Sequence, residues 1–216
     1  PLEKFYQQPQ IYYKMISVDV RQAFLTAPMD ASQDVFMKTP PFWNLYNDTK
    51  DDASTCVVLK KCLYGLKQAA AEFVSKWRNL LIDIGLEPSR SDPNVFILRK
   101  YQVDWEESRR LEKLVVLKDA QPSHDQENEM VLVVGTHIDD SLVAGMDDNG
   151  GNDILLWFRN RVSDTVGITY SEDIGTFLGL DIVVKDDELS ISAKTKIEIL
   201  YGDWKDRLTE DDLELA

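Results

Sequence analysis

The chain has 216 residues, 44% of them hydrophobic, enough for one good-sized domain with a continuous core that needs no disulfide or metal staple. With 24 Lys+Arg against 38 Asp+Glu the net charge is −14, which argues against broad nucleic-acid affinity because polyphosphate repels such a surface. The imbalance is confined to one half: residues 1–100 carry 13 basic and 11 acidic side chains, residues 101–216 carry 11 and 27, so nucleic-acid contact is expected of the first half.

Residues 1–13 are polar and aromatic with no apolar run, and no later stretch approaches transmembrane length, so a soluble intracellular chain without membrane insertion is expected. Cys56 and Cys62 are too few for a disulfide framework or a zinc site. Two ordinary thiols are the preferred reading, with a disulfide between them left open.

In chain order, residues 14–20 are rich in β-branched side chains and predict a strand ending near Asp19. Residues 26–33 are turn-rich and residues 35–38 predict the returning strand, which Pro40 and Pro41 end. Residues 47–54 form a polar acidic loop and residues 57–59 a further short strand. From 69 to 84 the apolar residues Phe73, Trp77, Leu80, Leu81 and Ile84 recur at helical spacing, with Gly85 placed to end the helix in a left-handed conformation.

Residues 94–98 predict a strand, whereas 101–129 are charged and broken, and read as an insertion that projects from the sheet, poorly packed or held by a partner. Apolar runs at 130–134 and 141–144 flank His137-Ile-Asp-Asp140, the pattern of two buried strands joined by a tight polar corner. A second helix is predicted over 153–162, then strands over 176–184 and 189–192 around Lys185-Asp-Asp-Glu188. Strands interrupted by two helices indicate an α+β fold, organised as one region over 1–202 with an insertion at about 100–130 and an acidic tail over 203–216.

Five Asp-Asp pairs occur, at 51, 139, 147, 186 and 211, so the dipeptide alone means nothing. Only Asp139-Asp140 lies between two apolar strands, where carboxylates are costly unless they reach solvent or bind cations. An acidic hairpin turn is the plain alternative. Asp19 poses the same question from another strand; if the strands are neighbours, three carboxylates converge, as two-metal phosphoryl transfer requires.

Asp19-Val-Arg-Gln-Ala-Phe-Leu25, Val35-Phe-Met-Lys-Thr-Pro-Pro41 and Leu59-Lys-Lys-Cys-Leu-Tyr-Gly-Leu-Lys-Gln-Ala69 resemble copia-type retrotransposon reverse transcriptases block by block. The resemblance continues through Ser91-Asp-Pro-Asn-Val-Phe-Ile97, His137-Ile-Asp-Asp-Ser-Leu-Val-Ala-Gly145 and Phe177-Leu-Gly-Leu-Asp-Ile182, in family order. It implies a palm-like antiparallel sheet backed by helices and RNA-directed DNA polymerase activity on a template-primer and dNTP, with Mg²⁺ or Mn²⁺ as cofactor. By that resemblance Asp19 and Asp139 are the principal metal ligands, Asp140 a supporting carboxylate and the Val20 carbonyl a further ligand. Phe24 matches the aromatic gate against a ribose 2′-hydroxyl, Gln68 the contact to the incoming nucleotide, and Phe177, Leu178 and Gly179 the hairpin that supports the primer end.

The resemblance also has departures. His137 stands where the family has tyrosine, Ala70-Ala71 replace a Pro-Arg, and Pro41-Phe42 lacks an intervening glycine. The chain carries little of the family's fingers before Asp19 and no thumb, so weak polymerisation by the isolated chain is expected. The alternative is a domesticated, inactive palm that serves as a scaffold in a larger assembly, with Trp43, Trp105, Trp157 and Trp204 as candidate anchors for protein partners.

Overall fold

The computed structural model describes residues 12–30, 32, 34–40, 56–122, 129–147, 154–185 and 188–204. Its centre is a six-stranded antiparallel sheet built from β1 (Tyr12–Val20), β4 (Glu87–Pro88), β5 (Val95–Arg99), β6 (Met130–His137), β7 (Asp140–Asp147) and β8 (Ile168–Ser171), in the order β4-β5-β6-β7-β1-β8. A two-stranded ribbon pairs β2 (Phe36–Lys38) with β3 (Cys56–Val58), and a three-stranded sheet has the order β11-β10-β9, from β9 (Gly175–Phe177), β10 (Leu180–Lys185) and β11 (Glu188–Ser192). Among the described residues five α-helices accompany the sheets: α1 (Ala23–Thr26), α2 (Ala69–Asp83), α3 (Trp105–Leu111), α4 (Ile154–Ser163) and α5 (Lys194–Trp204).

Period-two alternation separates the faces of the large sheet. On β1, Ile16, Val18 and Val20 are buried while Asp19 is exposed between the last two. On β7, Ser141, Val143 and Gly145 face the core, and a Cβ on Gly145 would lie 2.8 Å from the Leu155 side chain, so glycine here lets α4 approach the sheet. One hydrophobic cluster unites these strand residues with Phe73, Trp77 and Leu81 of α2 and Ile154, Phe158 and Val162 of α4. Both helices therefore cover the same face, and among the described residues no helix covers the other face at Asp19 and Asp140.

The helix expected over 69–84 spans Ala69–Asp83, with Ile84 as its C-cap. Gly85 follows at φ +106°; its N–H donates to the Ile82 carbonyl at 2.9 Å and the Leu86 N–H to the Leu81 carbonyl at 3.0 Å, the paired bonds of a Schellman motif. The Lys76 ammonium ties this helix to the end of α1 through the Thr26 carbonyl at 2.8 Å.

Two expectations are corrected. The segment after residue 100 does not project unpacked: Val103 and Leu114 join the core, and α3 is capped by the Asp104 carboxylate, which accepts from the Glu107 N–H at 3.0 Å. Buried Gln102 donates to the Gly85 carbonyl at 3.2 Å and accepts from the Arg99 N–H at 2.7 Å; buried Ser108 accepts from the Val115 N–H at 2.9 Å. A few well-placed apolar residues and satisfied polar ones suffice to pack a segment whose average composition is hydrophilic; its residues 123–128 lie outside the described ones. Likewise the strand expected over 176–184 breaks at Leu178 and Gly179, whose φ values of 54° and 77° close a two-residue hairpin loop of the type I′ pattern between β9 and β10.

Cys56 is exposed and Cys62 buried, and neither is in a disulfide. Among the described residues, no helix is long and apolar enough to cross a membrane. The acidic tail expected from residue 203 begins inside α5, and residues 205–216 lie outside the described ones.

A Cβ at Gly85 would meet Val116 Cγ1 at 2.8 Å in addition to the left-handed backbone cost. Gly85→Ala is expected to lower unfolding free energy by about 1–3 kcal/mol in urea titration. Adding Val116→Ala should not recover the whole loss, because the backbone cost remains.

Candidate functional site

Strand β1 lies between β7 and β8, and the register places Asp19 opposite Asp140 on one side and Thr169 on the other. His137 pairs with Asp140 across the β6–β7 hairpin, so His137, Asp140, Asp19 and Thr169 form one row over four neighbouring strands. Directly paired residues in a sheet project to the same side, which puts the whole row on the face that α2 and α4 leave uncovered.

The hairpin turn holds Ile138 and Asp139. Ile138 has φ 55° and Asp139 does not share the positive sign, the pattern of a type II′ turn, in which glycine is the usual first residue. A β-branched side chain there costs on the order of 1–2 kcal/mol, and Ile138 recovers some of this by packing against the core cluster. The Asp139 carbonyl accepts from the Val20 N–H at 3.1 Å, fastening the turn to the end of β1. The backbone thus couples Asp139 to the residue after Asp19.

Electrostatically the site is loaded with like charge. Partial burial, then the Asp139 and Asp19 carboxylates, push the Asp140 carboxyl above the ordinary range for an aspartic acid, while His137 pulls in the opposite direction. Asp19 has a partner of its own: the Thr169 hydroxyl donates to its Oδ2 at 3.2 Å. A concavity of about 260 Å³ opens here, lined by Ser17, Asp19, Asp140, Thr169, Thr176 and Phe177 among others. Two larger hollows, of about 680 and 650 Å³, are lined around Asp181 and Lys194 and around Lys76 and Arg161, and neither includes these carboxylates.

The residues singled out from the sequence fall into two groups. Asp19, Asp139, Asp140, Val20 and Phe177 meet at this end of the sheet. Leu178 and Gly179 follow Phe177 at the β9–β10 turn, where a Cβ on Gly179 would come within 3.3 Å of Lys196. Phe24 and Gln68 do not line the concavity: Phe24 on α1 stacks obliquely on Tyr64 at 4.7 Å and edge-on to Phe73 at 6.2 Å, while half-buried Gln68 is the N-cap of α2 without a side-chain capping bond.

Thr169 was not picked out from the sequence, since Ile168-Thr-Tyr-Ser171 is a short run after Gly167 with no chemistry of its own. Its alternating pattern was the signal. The face opposite Thr169 carries Tyr170, over whose ring the Arg159 guanidinium of α4 sits at 3.3 Å, which anchors β8 to the helical layer.

No protein-family model matches the chain, and no solved structure matches it. It is 26% identical over 164 residues to the Retrovirus-related Pol polyprotein from transposon RE1 of Arabidopsis thaliana and 24% identical over 164 residues to that from transposon RE2 of the same plant. Each alignment takes in 76% of this chain and 9% of the relative, so the chain spans less than a tenth of the curated proteins it matches. The chain is thus a distant relative of a region of retrotransposon Pol polyproteins.

Because the folded state raises the affinity of Asp140 for its proton, this group lowers stability as pH rises from the ordinary aspartate value through its elevated one. Asp140→Asn should therefore raise the melting temperature at pH 7 in chelator-treated buffer, by up to about 2 °C given solvent screening. The difference should shrink toward zero as the pH is lowered through that window, where the wild-type carboxyl becomes neutral. A thermal-melt series over pH reads both.

Proposed function

We propose that this chain is the palm-like catalytic region of an RNA-directed DNA polymerase, binding Mg²⁺ or Mn²⁺ and acting on a template-primer and dNTP. The observation that carries the reading is the cross-strand pair Asp19–Asp140 with Asp139 at the adjoining turn, on the open face of an antiparallel sheet. The similarity to Pol polyproteins supports it.

The donor chemistry fits the cations. Carboxylate and carbonyl oxygens are hard ligands, and Mg²⁺ is held by one or two carboxylates plus substrate phosphates and water rather than by a dedicated protein cage. In this reading Asp19 and Asp139 are the main ligands, Asp140 supports them and the Val20 carbonyl completes the set. When bound, the metals would activate a primer 3′-hydroxyl and neutralise the departing pyrophosphate.

The chain's own residues would do the positioning. Thr169 holds one oxygen of Asp19, fixing how the other is presented. The Asp139–Val20 backbone bond keeps the turn and the β1 end in step, and a bound cation would offset the like charges of Asp19 and Asp139 that help to raise the proton affinity of Asp140. Phe177, Leu178 and Gly179 would support the primer end, Gly179 allowing close backbone approach, while Phe24 would screen the ribose and Gln68 would contact the nucleotide.

The test is a Mn²⁺ and Mg²⁺ titration followed by calorimetry and thermal melts. Saturating metal at about 100 times its dissociation constant should add about 2.7 kcal/mol of stability. Asp19→Asn and Asp139→Asn should each weaken binding at least about tenfold, and Asp139→Asn should abolish whatever primer extension the chain supports. Metal binding that is unchanged in both variants would refute the site.

A further inference from the structure

The geometry points to Arg21 as a phosphate-binding residue, its guanidinium taking a phosphate of the incoming deoxynucleoside triphosphate beside the carboxylate row. This inference rests on the proposed polymerase reading and adds a cation to it. Arg21 directly follows β1, and its N–H donates to the Gly167 carbonyl at 2.9 Å, which extends the β1–β8 pairing one step past Val20 and Ile168. Arg21 and Gly167 thus stand two residues from Asp19 and Thr169, and residues at that spacing share a face. The Arg21 backbone lies roughly 7 Å beyond that of Asp19, and its side chain belongs to the same open face.

Gly167 makes the seat. A Cβ there would lie 3.0 Å from Nη2, 3.1 Å from Nε and 3.4 Å from Cζ of Arg21. Both nitrogens are nearer than the carbon between them, so the guanidinium edge with two parallel N–H groups faces the space that a side chain would fill. That edge is the one that grips a phosphate or carboxylate through two hydrogen bonds. Gly167 does not have a positive φ, so its backbone makes no demand for glycine; what glycine supplies here is room.

The fork has no partner of its own. Arg21 is exposed, and among the described residues no carboxylate lies within ion-pair distance of its guanidinium and no acceptor is bonded to it. A cation placed to neutralise the row would be paired with one of its carboxylates, and Arg21 is not among the groups that shift Asp140. In a chain of net charge −14 the neighbouring aspartates repel a lone anion. The ligand that suits both signs of charge shares its phosphates between divalent cations and the guanidinium, as a metal-bound triphosphate does.

Calorimetry on the full chain separates this inference from the reading beneath it. Mn²⁺ is titrated alone, then dTTP in saturating Mn²⁺, then a primer-template duplex. Arg21→Gln should weaken dTTP binding at least about tenfold, while Mn²⁺ affinity should not fall, because removing one cation favours the arrival of another. Arg21→Lys keeps the charge without the fork and should recover part of the loss. Gly167→Ala puts a methyl group where the fork faces and should also weaken dTTP binding, with little change in the thermal melt. Tripolyphosphate should displace dTTP from the wild-type chain, and thymidine should not. A wild-type chain that binds Mn²⁺ without dTTP, or whose dTTP affinity survives Arg21→Gln or Gly167→Ala, overturns the inference and leaves the metal site standing. So does a loss confined to the duplex, which would give the guanidinium to a strand phosphate. Absence of Mn²⁺ binding overturns both.

Discussion

The register between β1 and β7 is the constraint on which the molecule turns. It puts Ile16, Val18 and Val20 into the core and Asp19 opposite Asp140 on the open face. A slip of one residue would exchange the two sets, burying carboxylates and exposing valines. Burying each such apolar side chain is worth about 1.5–3 kcal/mol, whereas facing like charges in a sheet cost less than about 1 kcal/mol per pair. The core therefore dictates where the carboxylates stand, and their mutual repulsion is a tolerated consequence. Partial burial, and after it that repulsion, raise the proton affinity of Asp140.

The same division explains why the turn can hold Ile138 in a left-handed conformation. Strain persists where the surroundings over-determine it. Here β6 and β7 are paired from Leu132 with Gly145 down to His137 with Asp140, and the Asp139 carbonyl is tied to the Val20 amide. With both strands and the neighbouring strand end fixed, only a two-residue link remains, and its shape follows.

Much of this was legible in the sequence, for identifiable reasons. The α2 helix had a full apolar period and a glycine at its end, and both appear where expected. The β6–β7 hairpin was marked by two apolar runs around a polar corner. What the sequence hid was structure made by tertiary partners: β8 is four residues long and exists because β1 pairs with it, and the segment around α3 packs through the flanking Val103 and Leu114 and satisfied polar groups amid charged neighbours. The β9–β10 turn escaped because Leu178 is not a residue that favours positive φ, and only Gly179 announced it. Convergence of Asp19 with Asp139-Asp140 was a conditional statement at the sequence level, since it required two strands separated by over a hundred residues to be neighbours. Phe24 and Gln68 were carried by resemblance alone, and they sit by the Tyr64–Leu66 turn and the start of α2, outside the carboxylate concavity.

The charge asymmetry gains a meaning once it is placed on the fold. The site draws Asp140 of the row and Asp139 of the adjoining turn from the acidic half, and Asp19 from the nearly neutral half. An acidic surround raises the local concentration of divalent cations but repels polyphosphate. A metal-dependent site on nucleic acid needs both attractions, and one surface cannot supply them with one sign of charge. In the proposed function the opposing demand falls on Lys60, Lys61 and Lys67, all exposed on the segment that leads from β3 into α2. That segment comes from the first half of the chain, so in the proposed function the division of charge along the sequence would become a division of labour in space. Cations would be drawn by the hairpin end of the sheet, and phosphates by the loop that precedes the helix backing it.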